Sequence, residues 1–210
     1  MITIYHLGNS QSERVVWLME ELALPYFLEW FDRTEEQVAP EEYWALHPVG
    51  TAPVIKDGEL VLSESVAVVE YISHKYGNGR LSVAPDHPNF ADYLYWMQFN
   101  NSIQAVFLAK FMMGNAPDEN NPLVKHVVRR REQVYYKYLN DHLGNNTYLA
   151  GDEFSCADIM MMFNLTTLPL HGCRGIDGLP NVQRYVDLVS QRPAYIKAMS
   201  IAGPHAKKPA

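Results

Sequence analysis

Cysteine is almost missing from this sequence. Cys156 and Cys173 are the only two in 210 residues, they form no CxxC pair, and with the histidines they make no metal-spaced set. That argues against both a disulfide scaffold and a zinc site, and it suits a reducing compartment. No run of about 18 apolar residues occurs, the length a membrane-spanning helix needs. The opening MITIYHL reads as a strand and has no basic leader, so a cytoplasmic protein is expected. Basic runs are also scarce. Against a formal net charge of −7 there is only Arg129-Arg130-Arg131, which gives no electrostatic footprint for nucleic acid or anionic lipid and points to a small or neutral ligand. Internal repeats and low-complexity tracts are absent too. What is present is 48% hydrophobic residues, enough to build a core in one large domain or two small ones.

The most informative stretch runs from His47 to Tyr71, HPVGTAPVIKDGELVLSESVAVVEY. Two short apolar runs joined by Asp57-Gly58 predict a β-hairpin. Pro53 opens the first strand, where proline is tolerated and an X-Pro bond can be cis. After the second strand come Glu64 and Ser65, then Val66, Val68, Val69 and Ile72 at helical spacing, so the hairpin feeds a helix whose free N–H groups can receive an anion. Upstream, Ile2 to Leu7 reads as a buried strand. Ser10-Gln11-Ser12-Glu13 has capping-box spacing before a helix starting near Ser12 and stopped by Pro25. Tyr26 to Phe31 is a second strand and Glu41 to Leu46 a short helix.

The predicted order is therefore βαβαββα, a thioredoxin-like α/β arrangement over residues 1–77. A Gly- and Pro-punctuated connection follows at 78–88, and residues 89–210 read as all helical. Tyr93, Trp96, Met97, Asn100, Ile103, Phe107 and Phe111 share one helical face, and 124–143 forms another long segment. Ser155 and Asp158 have capping-box spacing, with Phe154 and Ile159 placed as a hydrophobic staple. Shorter helices are expected at 181–189 and 194–199, with Pro180 and Pro193 near their starts.

The run HPVGTAPVI, the hairpin, the Glu-Ser helix start and the later capping box together resemble the cytosolic glutathione transferases, in both halves of the chain. The resemblance implies a glutathione transferase: an enzyme that makes the thiolate of glutathione, its co-substrate, attack small hydrophobic electrophiles, without a metal. It implies that the backbone of Ala52, before Pro53, meets the cysteinyl part of glutathione and that Glu64 and Ser65 hold its γ-glutamyl end. Ser65 is expected to cap its helix as well. A role in detoxification and a homodimeric assembly also follow from the resemblance. A glutathione-dependent peroxidase, lyase, isomerase or dehalogenase on the same site is an alternative reading. So is a non-catalytic regulatory or binding protein that has kept the fold.

Activating a thiol of pKa about 8.5 near neutrality requires a donor to sulfur, and the turn between the first strand and first helix is where to look. It offers Tyr5, His6, Asn9, Ser10 and Ser12. Ser10-Gln11-Ser12-Glu13-Arg14 is similar to the serine-type pattern of the family, which implies Ser10 as the catalytic donor. Ser12 and Asn9 are the alternatives, and a plain N-cap paired with Glu13 is the structural one. Tyr5 falls inside the strand. No cysteine stands in this turn, which disfavours thiol-disulfide exchange through the protein. Arg14 is expected to order the turn or to pair with Glu20 or Glu70. Where the family sets a Lys or His for the glycyl carboxylate, this chain has an acidic segment from Glu35 to Glu42, and Arg33 is the nearest cation. Asn100, Phe107 and Phe111 are candidates for the electrophile pocket.

Overall fold

The computed structural model describes residues 1–113, 122 and 128–209, with the backbone alone at 111–113. The chain forms two compact units, Met1–His87 together with Leu188–Ala210, and Pro88–Asp187.

In the first unit, β1 (Ile2–Leu7), α1 (Ser12–Leu22), β2 (Tyr26–Phe31), α2 (Glu41–Trp44), β3 (Val54–Asp57), β4 (Leu60–Ser63) and α3 (Ser65–Lys75) follow the expected order. The sheet runs β2-β1-β3-β4, with β1 parallel to β2 and antiparallel to β3, and β3 antiparallel to β4. This is the thioredoxin-like arrangement. The α1 crossover makes the β1–β2 pair parallel, and the tight β3–β4 hairpin adds the antiparallel edge. Ile4, Val15, Val16, Leu18, Val54, Ile55, Val68, Val69 and Ile72 are all fully buried, so the apolar stripes of α1 and α3 close on the sheet.

The hairpin loop is shifted by one residue from the Asp57-Gly58 signal. Asp57 pairs with Leu60, so Gly58 and Glu59 form the loop, with Gly58 at φ 60°. Glycine takes the left-handed conformation and Asp57 is left on the ladder. There its Oδ2 accepts from Tyr71 at 2.7 Å, Tyr76 at 2.5 Å and Lys75 at 2.9 Å, clamping the hairpin to α3 and holding the carboxyl well below the usual range.

The second unit is helical: α4 (Phe90–Met113), α5 (Arg130–Leu143), α6 (Cys156–Thr166), a 3₁₀ turn at Leu168–His171 that the periodicity does not signal, and most of α7 (Pro180–Ser190). Residues 124–127 of the predicted helix lie outside the described residues. Tyr93, Trp96, Met97, Asn100 and Ile103 are buried along one face of α4, as their spacing predicts. The Ser155–Asp158 capping box is formed at the start of α6. Asp158 accepts from Leu149 N at 3.0 Å, Ser155 N at 2.8 Å and Tyr185 OH at 2.9 Å. Burial nonetheless pushes its carboxyl up to about 6, against those donors.

The last helix, α8 (Pro193–Ala202), groups with the first unit although sequence pattern alone assigns it to the helical half. Arg192 forks onto Glu21 at 2.6 and 2.7 Å, and Tyr195 packs edge-on against Trp17. Among the described residues no helix is long and apolar enough to cross a membrane.

Candidate active site

The site is built where β1 ends. Leu7 is followed by Gly8 and by Asn9 at φ 51°, a left-handed turn that asparagine tolerates, and the chain enters α1 through Ser10 and Gln11. Ser10 does not form the capping box its spacing suggests. The N-cap of α1 is Gln11, and the Ser10 hydroxyl instead donates to Leu7 O at 2.7 Å while accepting from Ser12 N at 3.3 Å. Its oxygen also lies 2.8 Å from Ser12 Oγ, which in turn lies 2.8 Å from His6 Nδ1. His6 is fully buried, with its ring 4.3 Å from that of Trp30, and burial lowers its pKa to about 4, so it is neutral at pH 7. Tyr5 is part of the strand, edge-on to Phe31.

Arg33 braces this turn from the end of β2. Its guanidinium donates to Gly8 O at 2.8 Å, Asn9 O at 3.1 Å and Gln37 O at 2.9 Å, all backbone carbonyls. Gly8, Asn9, Arg33 and Gln37 line a cavity of about 250 Å³ together with Trp30, Asp32, Gly203, Pro204 and Ala206. The cation nearest to a glycyl-carboxylate role thus spends at least three of its N–H groups on the loop.

The other half of the site comes from β3 and α3. The Ala52–Pro53 bond is cis, and Ala52 packs against the cluster of Leu7, Tyr43 and Val54. Glu64 precedes α3 at φ 73° and ψ 112°, a strained conformation for a residue with a side chain, and such strain persists where surrounding structure imposes it. Ser65 is not a cap. It is the first residue of α3, and its hydroxyl lies 3.2 Å from Gln11 Oε1 and 3.2 Å from Arg14 Nη1. Arg14 also donates to Gln11. Arg14 thus orders the turn, the first of the two roles expected of it. Glu20 pairs with Lys197 at 2.6 Å and Glu70 with His74 at 3.0 Å.

Two helix N-termini and one buried guanidinium therefore meet through Gln11, Arg14 and Ser65. Burial lowers the pKa of Arg14 to about 9, opposed by Glu13, which leaves it charged at neutrality. A fixed positive charge beside two helix starts is an environment that favours a carboxylate or a thiolate. Gln11 was not singled out by the sequence. Its spacing of three from Arg14 on the first helical turn was the available signal.

Of the electrophile-pocket candidates, Asn100 and Phe107 stand on α4 in the second unit, and the side chain of Phe111 lies outside the described residues. Asn100 is fully buried, donating to Met97 O at 2.5 Å and accepting at its carbonyl from Asn164 of α6 at 3.1 Å. Phe107 is half-buried. Among the described residues, no three or more His, Cys, Asp or Glu side chains gather as a metal site.

The chain is similar to known proteins in both of its halves. Residues 5–80 match the family model of the glutathione S-transferase N-terminal domain, and residues 100–193 match that of the C-terminal domain. Glutathione S-transferase 3 of Schizosaccharomyces pombe is 30% identical over 207 residues, covering 92% of this chain and 85% of its own. The crystal structure of a glutathione S-transferase from Actinobacillus pleuropneumoniae superimposes with a TM-score of 0.89 at 29% identity, over 100% of this chain and 97% of that one. A Phanerochaete chrysosporium glutathione transferase, solved in complex with oxidized glutathione, shares the fold at a TM-score of 0.77 and 22% identity, over 95% and 94% of the two chains.

Proposed function

Because the chain belongs to the glutathione S-transferase family, we propose that it binds glutathione on its first unit, holds the thiol as a thiolate with Ser10, and transfers the tripeptide to small hydrophobic electrophiles. The observation that carries this reading is the Ser10 hydroxyl, held by Leu7 O at the mouth of the turn between β1 and α1. A rotation about its Cβ–Oγ bond turns the O–H from that carbonyl toward an incoming sulfur, to which it donates a hydrogen bond while the thiol's own proton leaves to solvent. The γ-glutamyl end then falls to Glu64 and Ser65, backed by the charge of Arg14, and the cysteinyl backbone to Ala52.

The energetics are sufficient. Lowering a thiol pKa of about 8.5 by about two units needs roughly 2.7 kcal/mol. One hydroxyl donating to a charged sulfur contributes about 1.5–3 kcal/mol and a helix N-terminus about 0.3–1 kcal/mol more. No protein base has to change its charge. The electrophile is assigned to the helical unit, with Asn100, Phe107 and Phe111 as candidate contacts, and the working assembly to a cytoplasmic homodimer with a detoxifying role.

The test is a serine series assayed with a generic aromatic halide. Ser10→Ala is expected to lower kcat about ten- to hundredfold, while the dissociation constant of glutathione changes less than about threefold. A fall of that size in Ser12→Ala or Asn9→Ala, with Ser10→Ala unaffected, transfers the donor role and refutes the assignment.

A further inference from the structure

Ser10 does not stand alone: it ends a line of three buried polar side chains. His6 Nδ1, Ser12 Oγ and Ser10 Oγ are spaced 2.8 Å and 2.8 Å apart, and Leu7 O follows at 2.7 Å. His6 and Ser12 have no exposed surface and Ser10 has 6%, so these groups find their partners within the protein. Thiolate binding by the Ser10 hydroxyl alone gives the imidazole no task.

The direction of the line depends on where His6 carries its single proton. If it sits on Nε2, Ser12 must donate to Nδ1, and Ser12 then has nothing to give Ser10. If it sits on Nδ1, His6 donates to Ser12, and Ser12 donates to Ser10 at 2.8 Å in preference to Leu7 O at 3.4 Å, which leaves the O–H of Ser10 free to turn from Leu7 O to another acceptor. His6 Nε2 is buried with no hydrogen-bond partner among the described residues. A proton there would be an orphaned donor, whereas one on Nδ1 meets an oxygen at 2.8 Å. The ring of Trp30 offers Nε2 only a weak N–H to π contact.

We propose that His6 is a positioning residue for thiolate activation: as the Nδ1–H tautomer it heads a one-way donor line through Ser12 that leaves the Ser10 O–H to donate a hydrogen bond to the glutathione thiolate. The proposal rests on Ser10 being the thiolate donor. Each donor in such a line polarises the next and strengthens its bond by about 10–30%. Burial keeps the imidazole neutral at the pH of the reaction, so the line does not reverse by protonation of its head.

The test is titration of the glutathione thiol, read as the ultraviolet thiolate band on wild type, His6→Leu, His6→Asn and Ser12→Ala. His6→Leu and Ser12→Ala are each expected to raise the bound thiol pKa by about half a unit, which lowers the thiolate fraction about 1.5-fold at pH 7 and about threefold well below the pKa. Combining them should add little. His6→Asn, whose amide N–H can take the place of Nδ1–H, is expected to restore the wild-type value, which mere packing would not explain. Nitrogen NMR of labelled histidine should show Nδ1 protonated. A wild-type band with no shift in Ser12→Ala, or a protonated Nε2, overturns the role of His6 and leaves that of Ser10 standing. A wild-type complex with no thiolate band refutes the transferase reading itself. Ser12→Ala carries the test if His6→Leu does not fold.

Discussion

Arg14 Nη1 donates to Ser65 Oγ at 3.2 Å across 51 residues of sequence, and so ties the start of α1 to the start of α3. Arg14 is 1% exposed, and the bond joins the turn assigned to sulfur with the helix assigned to the γ-glutamyl group. Arg14→Met keeps much of the volume and removes the charge and the fork. It is expected to cost about 2–4 kcal/mol of stability and to weaken glutathione binding about tenfold or more. Chemical denaturation and calorimetric titration read the two effects. Unchanged affinity in a folded variant would remove Arg14 from the binding account.

Arg33 predicts a different signature, because its donors go to the carbonyls of Gly8, Asn9 and Gln37. Arg33→Met should leave the core intact and loosen the turn. Amide hydrogen exchange is expected to speed up at residues 8–10 ahead of the rest of β1, and kcat to fall more than glutathione affinity. If affinity falls and exchange is unchanged, Arg33 contacts ligand directly.

How much of this was legible from sequence depended on how local each interaction is. The Ser155–Asp158 box lies within four residues and was readable. The same spacing at Ser10 and Glu13 misled, because Leu7 O and Ser12 capture the Ser10 hydroxyl. The hairpin was legible from Asp57-Gly58, but its loop moved by one residue because Gly58 takes the positive φ and Asp57 is held by Tyr71, Tyr76 and Lys75. The Arg14–Ser65 bond and the bracing of Gly8 by Arg33 join residues far apart in the chain, and neither spacing nor periodicity encodes them. Arg192 reaches Glu21 over 171 residues, which is why α8 belongs with α1 and not with the helices that precede it.

His6 makes stability depend on pH with a definite sign. Its pKa falls from the ordinary 6.5 to about 4 on folding, so the unfolded chain binds more protons between those values. Its contribution is fully present above pH 6.5 and is lost as pH falls toward 4, by about 3 kcal/mol in all. Asp158, raised to about 6, acts in the opposite direction over part of that range. The comparison is therefore wild type against His6→Leu, by urea unfolding at a series of pH values. The wild type is expected to lose more stability than the variant between pH 6.5 and 4, and parallel curves would contradict the buried neutral imidazole.

The central claim is that this protein turns the glutathione thiol into a thiolate at neutral pH, and the most direct measurement is the pH-dependent ultraviolet difference spectrum of glutathione added to the wild-type chain. The account predicts saturable binding and a thiolate band that titrates about two units below the free thiol's pKa of about 8.5. Saturable binding with a band that titrates at the free-thiol value, or no band at any pH, would contradict it.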